Sequence, residues 1–275
     1  MGDRAVSPGW RPRIAAWHPI RVPSGFLDHP LPLAFAHRGG ASHFPENSFK
    51  AFEYAVALGY DYLETDVHAT ADATLVAFHD KTLDRVTDAT GTIAELTAAQ
   101  VGAARIAGTE PIPLLADLLM AWPAHRFNID VKDEPAIRPV VDVLRVTNAW
   151  DRVCITSFSG RRLNAVRRLL PRPVCMAAAP AAIGAITAGT PAGALAERFA
   201  RLSIRCAQIP VRIATSQFIR RAHAAGLQVH VWTVNDPALM SSLLDLGADG
   251  IMTDQIQALR DVLVSPGLWQ PQTAS

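Results

Sequence analysis

The stretch LAFAHRGGASHFPENSFKAFEYAVALGYDYLETDV, residues 33–67, contains the structural unit on which the fold prediction depends. Its apolar run at residues 33–37 predicts a β-strand, residues 48–58 predict an amphipathic helix, and residues 62–67 predict a second strand. A strand, a helix and a strand in this order are typical of two parallel strands joined by a crossover helix.

The alternation of short apolar runs and helical patterns continues through most of the chain. Further strands are predicted at residues 74–79, 127–131, 153–158, 174–178, 206–211, 228–234 and 250–253. We therefore predict an α/β fold of the TIM (β/α)8 barrel type, in which a closed parallel sheet lies inside a ring of helices. An open doubly wound sheet is the alternative, and it is disfavoured because no G-x-G-x-x-G turn follows the first strand.

The pattern contains more candidate strands than the eight positions of such a barrel. We predict that residues 206–211 form a short extra element. A single domain is expected over residues 33–275, preceded by an N-terminal arm of residues 1–32. Residues 81–113 are longer than an ordinary connection, so we expect a small insertion over the barrel mouth.

The composition of the chain excludes several classes of protein. Of 275 residues, 49% are hydrophobic and 19% are charged, which predicts a large core and argues against disorder. The formal net charge of +1 disfavours a nucleic-acid partner, whereas a small phosphorylated ligand needs only a local group of cations. Cys154, Cys175 and Cys206 lie far apart in the sequence, so we expect buried thiols in a reducing compartment rather than disulfides or a zinc site.

The N-terminal arm lacks the pattern of a secretory signal. Residues 1–32 lack the apolar run of a secretory signal, and no stretch reaches the roughly 18 uninterrupted apolar residues of a membrane helix. We therefore expect a cytoplasmic protein without a transmembrane segment. We expect the arm to pack along the barrel or to be partly disordered. Because Trp10, Trp17 and Phe26 accompany several arginines, contact with a membrane surface or a partner is the alternative. The sequence does not indicate the oligomeric state.

Polar side chains stand where several predicted strands end. They are His37 and Arg38 after the first strand, Glu64 and Asp66 in the second, His79 at the end of the third, and Asp130 and Lys132 at the end of a later one. The carboxyl ends of parallel barrel strands meet at one face, where the active sites of TIM barrels lie. We therefore expect these side chains to share one pocket.

The acidic residues predict a metal site. Glu64 and Asp66 are two positions apart, so both carboxylates point the same way from a strand. Two close carboxylates repel unless a proton or a cation lies between them, and a divalent cation bound by oxygen ligands meets that need. Asp130 is a candidate third ligand and Glu46 a candidate fourth. The alternative is that these acids form salt bridges.

The cationic and imidazole groups suit phosphate chemistry. Lys132 and Arg38 are candidates to bind phosphate oxygens, with a salt bridge from Lys132 to a nearby aspartate as the alternative. Imidazole titrates near neutral pH, so His37 and His79 are candidates to accept a proton from a nucleophile and to donate one to a leaving group. The other nearby histidines, including His68, are interpreted as loop residues.

These residues lie in an ordered series of motifs that resembles the glycerophosphodiester phosphodiesterase family. In chain order the motifs are His37-Arg38-Gly39-Gly40-Ala41-Ser42, Pro45-Glu46-Asn47, Leu63-Glu64-Thr65-Asp66-Val67, Val76-Ala77-Phe78-His79-Asp80, Leu83-Asp84-Arg85-Val86-Thr87, Ile112-Pro113-Leu114-Leu115, Asn128-Ile129-Asp130-Val131-Lys132, Ser157-Phe158, Val231-Trp232-Thr233-Val234-Asn235 and Asp249-Gly250-Ile251-Met252-Thr253-Asp254. Each motif alone is weak, but the ordered series from about residue 34 to residue 254 is specific.

The resemblance implies a TIM barrel with an insertion after the third predicted strand. It implies a hydrolase of lipid and glycerol metabolism that converts glycerophosphodiesters to sn-glycerol 3-phosphate and an alcohol. The residue roles that it implies are Mg²⁺ or Ca²⁺ binding by Glu64, Asp66, Asp130 and Glu46, acid–base catalysis by His37 and His79, phosphate binding by Arg38 and Lys132, and a pocket wall at Trp232. It also implies attack of the glycerol 2-hydroxyl on phosphorus, giving a cyclic phosphate that water opens. Simple barrel packing is the alternative for Trp232.

Two features keep other functions open. The family usually has a glutamate where this chain has Asp130, one methylene shorter, which bears on metal affinity. The arm rich in tryptophan and arginine suggests contact with lipid. The alternatives are therefore a lysophospholipase D-type enzyme acting on lysophospholipids and a non-catalytic barrel that binds a phosphorylated ligand.

Overall fold

The computed structural model of the protein describes residues 25–269 and 271, so most of the predicted N-terminal arm lies outside the described residues. The strands are β1 (Leu33–Ala36), β2 (Tyr62–Ala69), β3 (Leu75–Ala77), β4 (Arg105–Ile106), β5 (Glu110–Pro111), β6 (Arg126–Val131), β7 (Val153–Thr156), β8 (Cys175–Ala177), β9 (Ile204–Pro210), β10 (Gln228–Trp232) and β11 (Gly250–Thr253). The helices are α1 (Phe49–Ala57), α2 (Ala98–Ala103), α3 (Leu115–Ala121), α4 (Ile137–Thr147), α5 (Gly160–Leu169), α6 (Pro180–Ala188), α7 (Ala192–Arg201), α8 (Ser216–Ala224), α9 (Pro237–Asp245) and α10 (Ile256–Val264).

Eight of these strands form a closed parallel barrel. Around the barrel the order is β1, β2, β6, β7, β8, β9, β10 and β11, and β1 pairs with both β2 and β11 to close it. Every neighbouring pair in this ring is parallel. The predicted TIM barrel is therefore confirmed. No described helix is both long enough and apolar enough to cross a bilayer.

The prediction of which strand is extra was wrong. Residues 206–211 largely belong to β9, which lies between β8 and β10 in the barrel. The extra strand is β3, which pairs antiparallel with β2 outside the ring. A tight turn causes this, because the Thr70 amide donates to the Thr74 carbonyl and Ala73 has a φ of 61°. A parallel partner would need a crossover connection that this short loop cannot provide.

The segment after β3 forms a small insertion with its own apolar contacts. Strands β4 and β5 pair antiparallel within it, and α2 begins with a capping box in which Thr97 and Gln100 satisfy each other's backbone amides. Leu83, Ile93 and Ile106 are buried in this insertion together with Phe78. The insertion is therefore packed onto the β2–β3 hairpin rather than being an open loop.

The amino-terminal end of the barrel is filled by aromatic side chains. Phe26, from a short 3-10 turn before β1, packs edge-on against Tyr62 with ring centroids 5.2 Å apart, and Phe35 also contacts Tyr62. The buried Tyr62 hydroxyl donates to the Phe26 carbonyl at 2.6 Å. This bond ties the segment before β1 to the barrel interior.

We expect the substitution Tyr62→Phe to lower the free energy of unfolding by about 1–3 kcal/mol, because it leaves a buried carbonyl without a donor. Urea unfolding followed by circular dichroism measures the change. Tyr54→Phe is the control, since the Tyr54 hydroxyl makes no hydrogen bond within the described part of the chain. Equal stability of the Tyr62→Phe variant and the wild type would contradict this role.

Candidate active site at the mouth of the barrel

A cavity of about 330 Å³ lies among the carboxyl ends of the barrel strands. All the predicted site residues except Glu46 line it, namely His37, Arg38, Glu64, Asp66, His79, Asp130, Lys132 and Trp232. Barrel closure thus gathers into one cavity residues from strands distant in sequence.

The turn after β1 positions the first two of these side chains. Arg38 adopts a left-handed conformation with φ 52° within the short helical turn His37–Gly39. In this conformation the Arg38 amide donates to Glu64 Oε2 at 3.0 Å, and its carbonyl accepts from the Asn47 amide at 2.9 Å. Gly39 has a φ of 81°, and an added Cβ would lie 2.8 Å from a backbone nitrogen of α1, so glycine is required there.

The antiparallel hairpin explains how His79 reaches the same cavity. Strand β2 extends beyond the barrel rim, and β3 runs back along it, pairing Ala77 with Val67. The Phe78 amide then donates to the Asp66 carbonyl at 2.9 Å. The next residue, His79, is therefore returned to the level of the buried acids.

Each of the two candidate catalytic imidazoles is held by a carboxylate that sequence reasoning did not single out. His37 Nδ1 lies 2.7 Å from Asp254 Oδ1, and His79 Nδ1 lies 2.6 Å from Asp80 Oδ1. The pKa of Asp80 is lowered to about 2, mainly by the hydrogen bond that Arg85 donates to it. Burial acts to raise the pKa of Asp254, but the hydrogen bond and charge of His37, together with the Asn235 hydrogen bond and the Arg38 charge, outweigh it and the pKa is lowered.

Both aspartates are therefore ionised near neutral pH and only accept hydrogen bonds, so Nδ1 of each imidazole carries a proton. This leaves Nε2 of each ring as the atom that can exchange a proton with a ligand. The sequence contained a signal for both partners, because Asp80 directly follows His79 and Asp254 ends the last motif. Their contact with the imidazoles could not be deduced from that signal.

His37 is biased towards its charged form. Burial acts to lower the pKa of His37, but Glu64 and the hydrogen bond with Asp254 outweigh it, so the pKa is raised. Nε2 of the ring lies 3.9 Å from Glu64 Oε2. An imidazole in this position is suited to hold a proton that it can donate to a leaving group.

The two acids of β2 differ in their electrostatic environment. Burial and the nearby Asp66 raise the pKa of Glu64 to about 7. Burial acts to raise the pKa of Asp66 too, but Lys132 and Arg38 outweigh it and the pKa of Asp66 is lowered. Glu64 therefore lacks a sufficient positive neighbour, which is the situation that a bound cation would relieve.

Lys132 connects Asp66 with Asp130. Its ammonium lies 2.7 Å from Asp66 Oδ1 and 2.7 Å from Asp130 Oδ2. Burial acts to lower the pKa of Lys132, but the two aspartates outweigh it and the pKa is raised. The salt bridge considered as the alternative role of Lys132 is thus present, and the same ammonium also lines the cavity.

The donor set fits a divalent cation in its chemistry. Glu64 and Asp66 are buried oxygen donors facing one cavity, and Asp130 Oδ1 is a buried atom without a hydrogen-bond partner. Among the residues that the structure describes, however, no three carboxylates have ligand oxygens all within 4.8 Å of one another. Glu64 and Asp66 are therefore the pair best suited to hold the ion, and metal binding by Asp130 stays a prediction.

Glu46 lies beside the cavity but faces cations. Its carboxylate is 3.0 Å from Arg38 Nη1 and 2.6 Å from Arg85 Nη2, and Arg85 also binds Asp80. Arg85 belongs to the insertion, so this network ties the insertion to the loop after β1. Glu46 therefore orients Arg38 and Arg85 in this arrangement, and its binding of a metal also stays a prediction.

The interpretation of His68 as a loop residue was wrong. His68 is a buried residue of β2 whose Nδ1 lies 2.8 Å from Asp133 Oδ2 and whose Nε2 lies 3.1 Å from the His79 carbonyl. It therefore links the end of β6 to the backbone of a candidate catalytic residue. Sequence reasoning missed it because its position relative to His79 depends on the direction of β3.

Part of the cavity wall is apolar. Phe158 and Trp232 pack edge-to-face with ring centroids 5.6 Å apart, and Pro180, Ile183 and Ile213 complete this wall. Phe158 is 62% exposed, which is unusual for a phenylalanine. The cavity thus has one charged side and one side suited to an apolar group.

The comparisons with known proteins agree on one family. The sequence profile of the glycerophosphoryl diester phosphodiesterase family matches residues 37–258. A Mycobacterium tuberculosis protein named probable glycerophosphodiester phosphodiesterase 2 is 42% identical over 251 residues, covering 89% of this chain and 95% of the relative. Human lysophospholipase D GDPD1 is 26% identical over 267 residues, covering 83% of this chain and 85% of the relative.

Solved structures show the same fold. A phosphodiesterase from Oleispira antarctica in complex with the product sn-glycerol-3-phosphate superimposes with a TM-score of 0.73 at 25% identity, covering 85% of this chain and 97% of that one. A Silicibacter pomeroyi protein named putative glycerophosphoryl diester phosphodiesterase superimposes with a TM-score of 0.75 at 23% identity, covering 88% of this chain and 96% of that one.

We expect the substitution Asp254→Asn to lower the pKa of His37, because a neutral amide stabilises the imidazolium less than a carboxylate does. Nuclear magnetic resonance titration of the histidine rings in the presence of a chelator measures this pKa. Asp142→Asn, an exposed change on α4, is the control. An unchanged pKa in the Asp254→Asn variant would show that the aspartate does not control this ring.

Proposed function

The chain belongs to the glycerophosphoryl diester phosphodiesterase family and is a phosphoric diester hydrolase. From this premise we propose that it converts a glycerophosphodiester to sn-glycerol 3-phosphate and an alcohol. The proposed mechanism is acid–base catalysis by histidine with a divalent cation. The observation that carries the proposal is the pair of carboxylate-held imidazoles, His37 and His79, in one cavity. The alternative of a non-catalytic barrel is set aside by the family.

The charged side of the cavity supports a phosphate ligand. Arg38 and Lys132 both line it, and each is fixed by buried or partly buried carboxylates. Cations held in this way are preorganised, so they stabilise negative charge on phosphoryl oxygens without reorganising during the reaction. The two side chains would position the phosphate between the imidazoles.

The reaction proceeds in two displacements. In the first, the glycerol 2-hydroxyl attacks phosphorus, one imidazole Nε2 accepts the hydroxyl proton, and the other donates a proton to the departing alcohol oxygen. The products of this step are a cyclic phosphate and the alcohol. In the second, water attacks phosphorus, its proton passes to an imidazole, and the ring oxygen at position 2 is protonated, which gives glycerol 3-phosphate.

We propose that Glu64 and Asp66 hold Mg²⁺ or Ca²⁺, with Asp130 and Glu46 as further ligands. When bound, such an ion lowers the pKa of the attacking hydroxyl and polarises a phosphoryl oxygen. The raised pKa of Glu64 supports this assignment, since that carboxyl gains most from a nearby positive charge. His68 and Asp133 would keep the His79 backbone in place during both displacements.

We expect the purified protein to release sn-glycerol 3-phosphate from glycerophosphocholine in the presence of Mg²⁺ or Ca²⁺, and a chelator to abolish the release. His37→Ala and His79→Ala should each lower kcat by about 10²–10⁴, because proton transfer at the two oxygens is lost. An enzyme-coupled assay for glycerol 3-phosphate gives kcat and KM. His43→Ala, an exposed histidine outside the cavity lining, is the control. Unchanged turnover in a variant lacking both His37 and His79 would refute the proposed chemistry.

A lysophospholipid is the second candidate substrate, as in lysophospholipase D-type enzymes. The apolar wall supports it, because moving an acyl chain from water onto such a surface lowers the free energy. The wall is formed by Phe158, Trp232, Pro180, Ile183 and Ile213. The name of the human relative agrees with this reading. The same phosphoester bond would be cleaved, with the acyl glycerol lying along the wall.

If the wall binds an acyl chain, Ile183→Ser should lower kcat/KM for lysophosphatidylcholine by about 10-fold and leave kcat/KM for glycerophosphocholine nearly unchanged, since about 1–3 kcal/mol of apolar contact is lost. Head-group release from both substrates measures the two values. Leu169→Ser, a partly exposed leucine at the end of α5 that does not line the cavity, is the matched control. A strong preference of the wild type for glycerophosphocholine, or an equal effect on both substrates, would remove the lysophospholipid from consideration.

A further inference from the structure

Three cysteines that are far apart in the sequence lie together inside the barrel. Cys154, Cys175 and Cys206 belong to the consecutive strands β7, β8 and β9. Their sulfur atoms all lie within 4.8 Å of one another, and Cys154 Sγ is 3.8 Å from Cys206 Sγ. Within residues 25–269 and 271 this is the one set of three histidine, cysteine or acidic side chains that meets this criterion.

The register of the barrel produces this cluster. Cys154 pairs directly with Cys175 across β7 and β8. The register of β8 and β9 then shifts between Met176 and Ala177. Because of this shift, Ala177 pairs with Cys206 and not with the residue before it. All three side chains point inwards and pack in one apolar layer with Phe35 and Tyr62. The predicted burial of the thiols is confirmed, but their separation in sequence gave no indication of the cluster.

This thiol cluster is separate from the acidic site. Asn128 and Gln208 form an amide pair across the barrel, with Gln208 Nε2 2.7 Å from Asn128 Oδ1, and both line the catalytic cavity. Gln208 Nε2 is also 3.9 Å from Cys206 Sγ, on the other side of that pair. The amide pair therefore lies between the acidic side chains and the cysteine layer, while Met252 and Trp232 contact both the cavity and that layer.

We propose that Cys154, Cys175 and Cys206 form a binding site for a single thiophilic, three-coordinate ion. The ion that fits is trivalent arsenic, whose charge matches that of three thiolates. The three sulfur atoms already lie within 4.8 Å of one another, so small side-chain rotations bring all three within bonding distance of one central ion, which for zinc is about 2.3 Å from each sulfur. Arsenous acid reacts with three thiols to form three As–S bonds and three molecules of water. The thiol protons leave with the three hydroxyl groups of the acid, and arsenic keeps its oxidation state.

Charge balance selects a trivalent ion over a divalent one. Three thiolates around trivalent arsenic give a neutral complex, whereas three thiolates around a divalent cation leave a net negative charge in an apolar layer, where a charge is costly. Burial raises the pKa of the Cys154 thiol, and for Cys206 the contact with Cys175 and burial outweigh the opposing effect of Cys154. Neutral thiols are the form that the condensation consumes.

A second cavity provides a route to the cluster. It has a volume of about 410 Å³, lies at the amino-terminal end of the barrel, and is lined by Cys175 together with Phe26, Ser203 and Arg205. Cys175 is 4% exposed, whereas Cys154 and Cys206 are fully buried. A small neutral acid entering here would meet Cys175 first and would not pass through the catalytic cavity.

The test is the reaction of the reduced full-length protein with arsenite, followed by native mass spectrometry. We expect one adduct per chain with the mass of one arsenic atom less three hydrogens, which shows that three thiols have reacted, together with a higher Tm. The chain has three cysteines in total, so no other thiol contributes. Cys154→Ala, Cys175→Ala and Cys206→Ala should each weaken arsenite binding by at least about 100-fold, more than the loss of an outer contact costs.

Met252→Leu, a change in the same apolar layer that removes no thiol, is the matched control and should bind arsenite like the wild type. The absence of an adduct in the folded wild type, or an adduct that consumes fewer than three thiols, would overturn the proposal. The wild-type measurement decides the matter even if an alanine variant fails to fold. The outcome is independent of phosphodiesterase activity, which is assayed separately on the same sample.

Discussion

Strand β1 forms parallel hydrogen bonds with β11 on one side and β2 on the other, and this closure is the constraint on which the rest of the molecule depends. Gly250, the first residue of β11, suits this close pairing, because an added Cβ would lie 3.0 Å from both the Leu33 carbonyl and the Phe35 ring, closer than side chains usually pack. Once the sheet is closed, the carboxyl ends of all eight barrel strands surround one cavity. Residues from β1, β2, β6 and β10 then become neighbours although the chain separates them widely.

Charge compensation is the second condition for this site. Burying Glu64, Asp66 and Asp130 together is unfavourable unless cations accompany them. Lys132 and Arg38 supply part of the compensation, and the raised pKa of Glu64 marks the part that remains. The structure therefore holds the candidate phosphate-binding cations and the candidate metal-binding acids in a single network, so a change in any member alters the others.

The inward-facing residues form layers with different chemistry. Aromatic rings fill the amino-terminal end, cysteines lie in the same apolar region, an amide pair follows, and acids, imidazoles and cations lie at the mouth. This order follows from strand geometry, because inward-facing residues alternate with outward-facing ones along each strand and neighbouring strands are staggered. The cysteine cluster is a product of the same geometry as the active site.

The sequence by itself determined the barrel, since strand and helix periodicities are local, and it indicated most of the side chains that line the candidate site. Glu64 and Asp66 share a face because side chains two apart on a strand point the same way, and their position at a strand end places them at the mouth. The sequence could not determine the direction of β3. The contact between the His68 side chain and the His79 backbone therefore could not be predicted. It also could not reveal that Asp254 and Asp80 hold the imidazoles, that Glu46 faces two arginines, or that three distant cysteines meet. Those contacts depend on strand register, sheet curvature and turn direction, which are set by hydrogen bonds between residues far apart in the chain and exist only once the barrel has closed.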